Sequence, residues 1–271
     1  FAGTRVDGVF RSTNRGTNWT AVGLINSKVQ ALAVRGTDLF AGTTVGVFRS
    51  TDRGIGWTSR GSMPANVIAL AVKDTNLFAG TYGNGVFLSR NNGASWGTVN
   101  NGLTSYYVRA FAVIGTNLFA GTNGGVFRSA NDGGSWTRVN NGLTNTSVLS
   151  LAPDLSGDLF AGTWGGGVFR SGDNGANWTA VGLTGAYVNA LAVRGVNLFA
   201  GAGTGGGVFL STNNGINWTA VNIGLTETVV RSLAVSDTSL FAGTDGGVFL
   251  NANNGKSLTS VNTGLMDTVV K

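Results

Sequence analysis

A chain of 271 residues with 45 glycines, two prolines, 42% hydrophobic and 11% charged residues is too apolar for a disordered segment and lacks the G-X-Y period of collagen. It contains no cysteine and no histidine, which excludes a disulfide framework, thiolate chemistry and histidine-based catalysis or metal binding. No stretch approaches the roughly 20 apolar residues that cross a bilayer as a helix. The net charge of +6 and pI near 10.2 leave anionic partners open.

The chain repeats itself about every 40 residues, a period that indicates a repeat architecture. Each unit opens on Phe-Ala-Gly, starting at Phe1, Phe40, Phe78, Phe119, Phe160, Phe199 and Phe241, which predicts strand B. Gly-Val-Phe follows, ending at Phe10, Phe48, Phe87, Phe127, Phe169, Phe209 and Phe249, and opens strand C. Next comes Ser-x-Asn/Asp-x-Gly-x-x-Trp, in six copies that end at Trp19, Trp57, Trp96, Trp136, Trp178 and Trp218. The seventh copy, Asn251 to Leu258, has lost both its serine and its tryptophan. In this turn the Asn or Asp accepts backbone N–H bonds, glycine permits positive φ, and the tryptophan packs beneath with an indole N–H in need of a partner. A short strand D such as Trp178–Val181, a polar loop and an apolar strand A such as Val188–Val193 complete the unit. The continuously apolar strand A predicts burial on both faces. Four strands per unit and seven units predict an all-β, seven-bladed β-propeller of four-stranded antiparallel blades.

The motif resembles the Asp-box, or BNR, repeat of bacterial sialidases, xyloglucanases, sortilin-type receptors and photosystem II assembly factors. The resemblance covers the whole chain and implies the propeller fold; those families do unrelated things on the same blades. Residues 1–271 are then a single propeller domain, monomeric as a domain. Val269-Val270-Lys271 aligns with Val229-Val230-Arg231, so residues 266–271 are expected to complete blade 1 and close the ring with a short strand. Phe1 lies inside a repeat motif, so the chain is expected to belong to a longer polypeptide.

In a propeller the A–B and C–D links share one end, here the bottom, and the B–C and D–A links share the top. Every polar aromatic that the repeat does not require falls at the top: Tyr82, Tyr106, Tyr107, Trp164 and Tyr187. With Arg109 and Asn189 they form the expected ligand site, because ring faces stack on sugars or anchor protein partners. The four top acids, Asp7, Glu227, Asp245 and Asp267, form a second cluster on blades 7 and 1. Paired carboxylates serve glycoside hydrolysis or a hard cation; a solvated loop surface is the plainer reading. The bottom has seven basic residues against eight aspartates, the top five against four acids, and six arginines lie in strands C and D. Charge spread round the circumference in this way argues against a nucleic-acid groove.

The sialidase resemblance does not extend to chemistry. Those enzymes need an arginine triad and a tyrosine–glutamate pair, whereas the one glutamate here, Glu227, lies on a different blade from the tyrosines. Xyloglucanases use a cleft between two propellers, and this sequence holds one. The expected function is a non-catalytic secreted or cell-surface propeller that binds glycan or protein through its top loops. It is expected to use no cofactor or metal, bind no nucleic acid and not insert into a membrane. A structural spacer of a larger surface protein is the alternative. A reduced glycoside hydrolase using Asp7 and Asp245 is a third reading.

Overall fold

The computed structural model describes residues 1–61, 63, 65–236, 238–252 and 256–271. Residues 253–255 of the seventh turn, and Asp237 among the bottom aspartates, lie outside the described residues. The chain is an all-β, seven-bladed propeller with six four-stranded sheets and one of three strands. Blade 2 shows the pattern: strand A is Val29–Arg35, B is Asp38–Thr43, C is Gly46–Ser50 and D is Thr58–Arg60, each antiparallel to the next. The A strands of successive blades approach one another, so A is innermost.

One contact recurs at every junction. The glycine of Phe-Ala-Gly lies against the first valine of the next blade's strand A. A Cβ placed on Gly42, Gly80 or Gly121 would stand 2.7, 2.8 and 2.7 Å from a methyl of Val67, Val108 and Val148. The same relation joins Gly162 to Val188, Gly201 to Val230, Gly243 to Val270 and Gly3 to Val29. The glycine is therefore required for blade-to-blade approach rather than for a turn.

Strand B, not strand A, is the strand buried throughout. Asn76–Thr81 is fully buried, whereas the inner strand Val67–Lys73 is mostly half-buried. Strand B has a neighbour on each edge and a blade on each face, while strand A has no hydrogen-bonded partner on its inner edge. The phenylalanines that begin Phe-Ala-Gly in blades 2 to 6 are at most 1% exposed.

Between C and D the turn holds itself together. In blade 2 the Gly54 N–H donates to Ser50 Oγ (2.8 Å), Ser50 Oγ donates to Asp52 Oδ1 (2.7 Å), and the Gly56 N–H donates to Asp52 Oδ1 (2.8 Å). Arg53 and Gly54 both have positive φ, at 62° and 92°. The tryptophan reaches out of its own blade: its indole N–H donates to a carbonyl in strand D, or just past it, of the preceding blade. Trp136 to Val99 is 2.7 Å, Trp178 to Val139 2.8 Å and Trp19 to Val261 2.7 Å.

Blade 1 has the three strands Ala2–Gly3, Val9–Arg11 and Thr20–Gly23. Its inner side is closed by a single antiparallel bridge, Thr4 to Val270, flanked by Arg5 N–H to the Val269 carbonyl (3.1 Å) and Lys271 N–H to the Gly3 carbonyl (2.9 Å). A cavity of about 610 Å³ runs beside this short closure, lined by Phe1, Ala2, Leu233, Val235, Phe241 and Val270 among others. Val235 is accordingly 38% exposed.

Two outcomes follow from the packing. Gly121→Ala forces a methyl into Val148 and should destabilise the fold by about 1–3 kcal/mol, read as a lower denaturation midpoint with unchanged slope. Backbone N–H donation from Gly56, then the Ser50 hydroxyl, holds the Asp52 carboxyl below its ordinary 3.8; Asp173 is held down likewise, first by the Asn177 N–H. A depressed carboxylate contributes stability that is complete above its ordinary pKa and lost as pH falls through the lower native value. Asp52→Asn with Asp173→Asn should therefore flatten the loss of melting temperature between about pH 5 and pH 2; an unchanged acid limb would contradict this.

Candidate functional site on the top rim

The top links are pinned by two repeated devices. The threonine ending strand B donates its hydroxyl across the B–C link, as in Thr81 to the Gly85 carbonyl (2.8 Å) and Thr163 to the Gly167 carbonyl (2.9 Å). In blades 3, 4, 6 and 7 an asparagine after strand D clamps the same link. Asn140 Oδ1 accepts from the Val126 N–H at 2.8 Å, and its Nδ2 donates to the Gly124 carbonyl at 2.9 Å. Side chains beyond these pins sit on a rigid support.

The residue after the pinned threonine meets the residue before the next blade's strand A. At the junction of blades 3 and 4 these are Tyr82 and Tyr107, joined by an antiparallel bridge with ring centroids 4.6 Å apart at 77°. At the junction of blades 5 and 6 they are Trp164 and Tyr187, bridged alike, 4.9 Å apart at 58°. An edge-to-face arrangement at such distances is favourable. All four rings are exposed, Trp164 most at 56%, and Tyr106 beside them is exposed as well. Polar Asn123 and Ser147 take the equivalent positions between blades 4 and 5. The structure thus brings the five aromatics together as two equivalent pairs plus Tyr106, spread over blades 3 to 6.

Arg109 and Asn189 share a structural cause that the spacing of the sequence does not show. Each A–B pair has a register shift after its first valine, so one residue per blade bulges: Gln30, Ile68, Arg109, Leu149, Asn189 and Arg231. A bulge re-aims its side chain. Arg109 Nε donates to Asn123 Oδ1 (2.7 Å), and Asn189 Nδ2 to the carbonyl of Val230 in the next blade (2.9 Å). Gln30 makes the same cross-blade bond to Val67 (3.1 Å) and bonds Asn66. Gln30, Asn66, Asn123 and Asn145 are rim polar groups that sequence reasoning missed; only the periodic alignment of the residue after each strand-A valine could have found Gln30.

The acidic group has a different character from its sequence pattern. Glu227 accepts the Val229 N–H (2.9 Å), and Asp267 accepts the N–H groups of Val269 (3.0 Å) and Val6 (2.8 Å). Asp245 forms a two-pronged pair with Arg231, at 2.8 and 2.7 Å. The Arg231 guanidinium holds the Asp245 carboxyl below its ordinary range, with Lys271 and Arg5 adding attraction. Asp7 has its N–H on Thr4 Oγ1 (3.1 Å). Among the described residues no three acids come together closely enough to hold a metal ion between them. On the bottom and circumference several cations are also paired, as in Arg49 with Asp38 (2.6 Å), Arg170 with Asp158 (2.5 Å) and Lys73 with Asp132 (2.6 Å).

A rigid seven-bladed scaffold with an aromatic and polar top rim is the class of protein this geometry defines. Residues 113–239 match the DUF6242 beta propeller domain. No curated protein matches the sequence. Among solved structures the chain is similar to the extracellular domain of BT4673 from B. thetaiotaomicron, at 18% identity and TM-score 0.74, over 90% of this chain and 35% of that one. It is similar to the GH74 xyloglucanase of Xanthomonas campestris at 17% identity and TM-score 0.77, over 97% of this chain and 52% of that one. YCF48 bound to D1 peptide aligns at 14% identity and TM-score 0.72, over 98% of this chain and 89% of that one. The chain thus spans about a third of the length of the first of these and half of the second. At such identities the likeness shows the fold. Among the described residues no helix is long and apolar enough to cross a membrane.

Removing the Arg231 side chain should let the Asp245 carboxyl climb back toward its ordinary pKa. Carboxyl-carbon NMR titration of Arg231→Ala reads this directly, and an Asp245 midpoint unchanged from the parent would refute the pairing.

Proposed function

We propose that this chain is a non-catalytic binding propeller of the cell exterior that takes a glycan on its top rim. The observation that carries the reading is that the five aromatics the framework does not need stand exposed on the pinned rim, four of them in two equivalent pairs two blades apart and Tyr106 beside one pair. Two platforms at repeated positions suit an extended chain of sugar rings, whose apolar faces stack on aromatics while their hydroxyls meet amide side chains such as Asn123 and Asn145. Similar propellers include an extracellular domain and a xyloglucanase, which supports an exterior location and a carbohydrate ligand. The peptide-bound relative keeps a protein ligand as the other outcome. Two of the four acids are already engaged, Asp245 by Arg231 and Glu227 by a turn N–H, which disfavours either as the protonated acid that a glycoside hydrolase needs.

One observation favours the spacer reading. Each aromatic pair meets where a backbone bridge also joins two blades; on this reading the rings are staples. Trp164→Ala with Tyr187→Ala separates the two. The binding reading expects a glycan-array hit whose affinity falls at least about tenfold, or 1.4 kcal/mol, with melting little changed. An array with no hit, and a melting temperature lowered by several degrees, would sink it in favour of the staple.

A further inference from the structure

The rim position that holds the aromatic pairs holds two cations at the junction of blades 1 and 2. Arg5 follows the pinned Thr4, as Tyr82 follows Thr81, and Lys28 precedes Val29, as Tyr107 precedes Val108. Backbone bonds tie the two strands side by side, with the Val29 N–H on the Thr4 carbonyl at 3.0 Å. Lys271 adds a third cation at the bulge position of blade 1, next to Val270, which bridges Thr4, and with its own N–H on Gly3. Arg231 is the bulge residue of the adjoining blade 7, and its charge is spent on Asp245. No salt bridge joins Arg5, Lys28 or Lys271 to a carboxylate among the described residues. Burial, then the charges of Lys28 and Arg231, push the Lys271 ammonium below its ordinary pKa, and Arg5 adds to this against the pull of Asp245.

Like charges set at neighbouring positions on a sheet are destabilising, and cations gathered at one place attract anions, whose binding offsets that repulsion. The strand arginines Arg49 and Arg170, by contrast, each have an aspartate partner within 2.6 Å. We propose that Arg5, Lys28 and Lys271 form a site for an anionic oxo group, the carboxylate or sulfate ester of an acidic polysaccharide. The polysaccharide carrier rests on the rim reading above; the anion site does not. Guanidinium and ammonium donors on three adjoining strands suit a group with several acceptor oxygens, which replaces mutual repulsion by charge-assisted hydrogen bonds.

The test uses dextran, dextran sulfate and polygalacturonate with the intact chain at near-physiological salt. Dextran sulfate or polygalacturonate should bind at least about tenfold more tightly than dextran, and Lys28→Ala with Lys271→Ala should lose at least about tenfold of that affinity, with a shallower salt dependence. Arg90→Ala with Arg138→Ala removes the same charge from elsewhere on the molecule and should lose little. Which polymer binds distinguishes carboxylate from sulfate. Relief of repulsion should also leave the ligand-free Lys28→Ala variant at least as heat-stable as the parent, so lost binding is not lost folding. Equal binding of charged and neutral dextran, or equal losses in the two double variants, would overturn the site. Failure of the aromatic variants to affect dextran would instead count against the rim reading alone.

Discussion

Seven times round the ring, a glycine with no room for a side chain meets a valine that begins the next blade. This close approach sets the distance between blades, and with it the register of everything above and below. The valine is the last in-register residue before the bulge in the six complete blades, so the inner strand breaks step where it leaves the contact. The bulge, the pinned threonine and the next blade's leading residue then occur at fixed heights. A rim of comparable positions is therefore a by-product of packing, and its side chains are free to vary because none of them holds the blades apart.

The two ends of the propeller divide the work unevenly. On the bottom, serine, asparagine or aspartate and glycine satisfy one another within a turn, and the tryptophan spends its indole N–H on the previous blade. These groups have few bonds left to offer a ligand. On the top, threonine and asparagine fix the backbone of the links while the residues between them stay exposed. Aromatic rings occupy blades 3 to 6 and charges occupy blades 7 to 2, so the rim has two chemically distinct arcs on one support.

Much of this was legible in the sequence because a repeat makes framework and departure separable by inspection. Phe-Ala-Gly, Gly-Val-Phe and the turn residues mark strands B and C and the bottom, and Tyr82, Tyr107, Trp164 and Tyr187 stand out as additions. Burial was less legible. Strand A reads as the most apolar run, yet strand B is the covered one, since being second in a sheet and between two blades depends on position and not on hydropathy. Partnerships were the least legible. Asp245 reads as one of four acids until its bulged neighbour Arg231 turns toward it, and Arg5 with Lys28 reads as two scattered charges until their strands are laid edge to edge. Those relations are made by the register between strands, which composition does not encode.

The indole bond has a direction, and six of the seven blades make it backward onto their predecessor. Blade 7 has Leu258 in that place, which fills the space but has no donor, and keeps only its backbone N–H on the Ile223 carbonyl (2.7 Å). The ring is therefore a loop of one-way fasteners with one clasp missing, between blades 6 and 7. In a quasi-one-dimensional array, where each unit leans only on its neighbours, strain collects at the softest joint. Pulled or heated, such a hoop should open first at that seam, with the aromatic arc of blades 3 to 6 left whole on one side of the gap and the Arg231–Asp245 pair on the other.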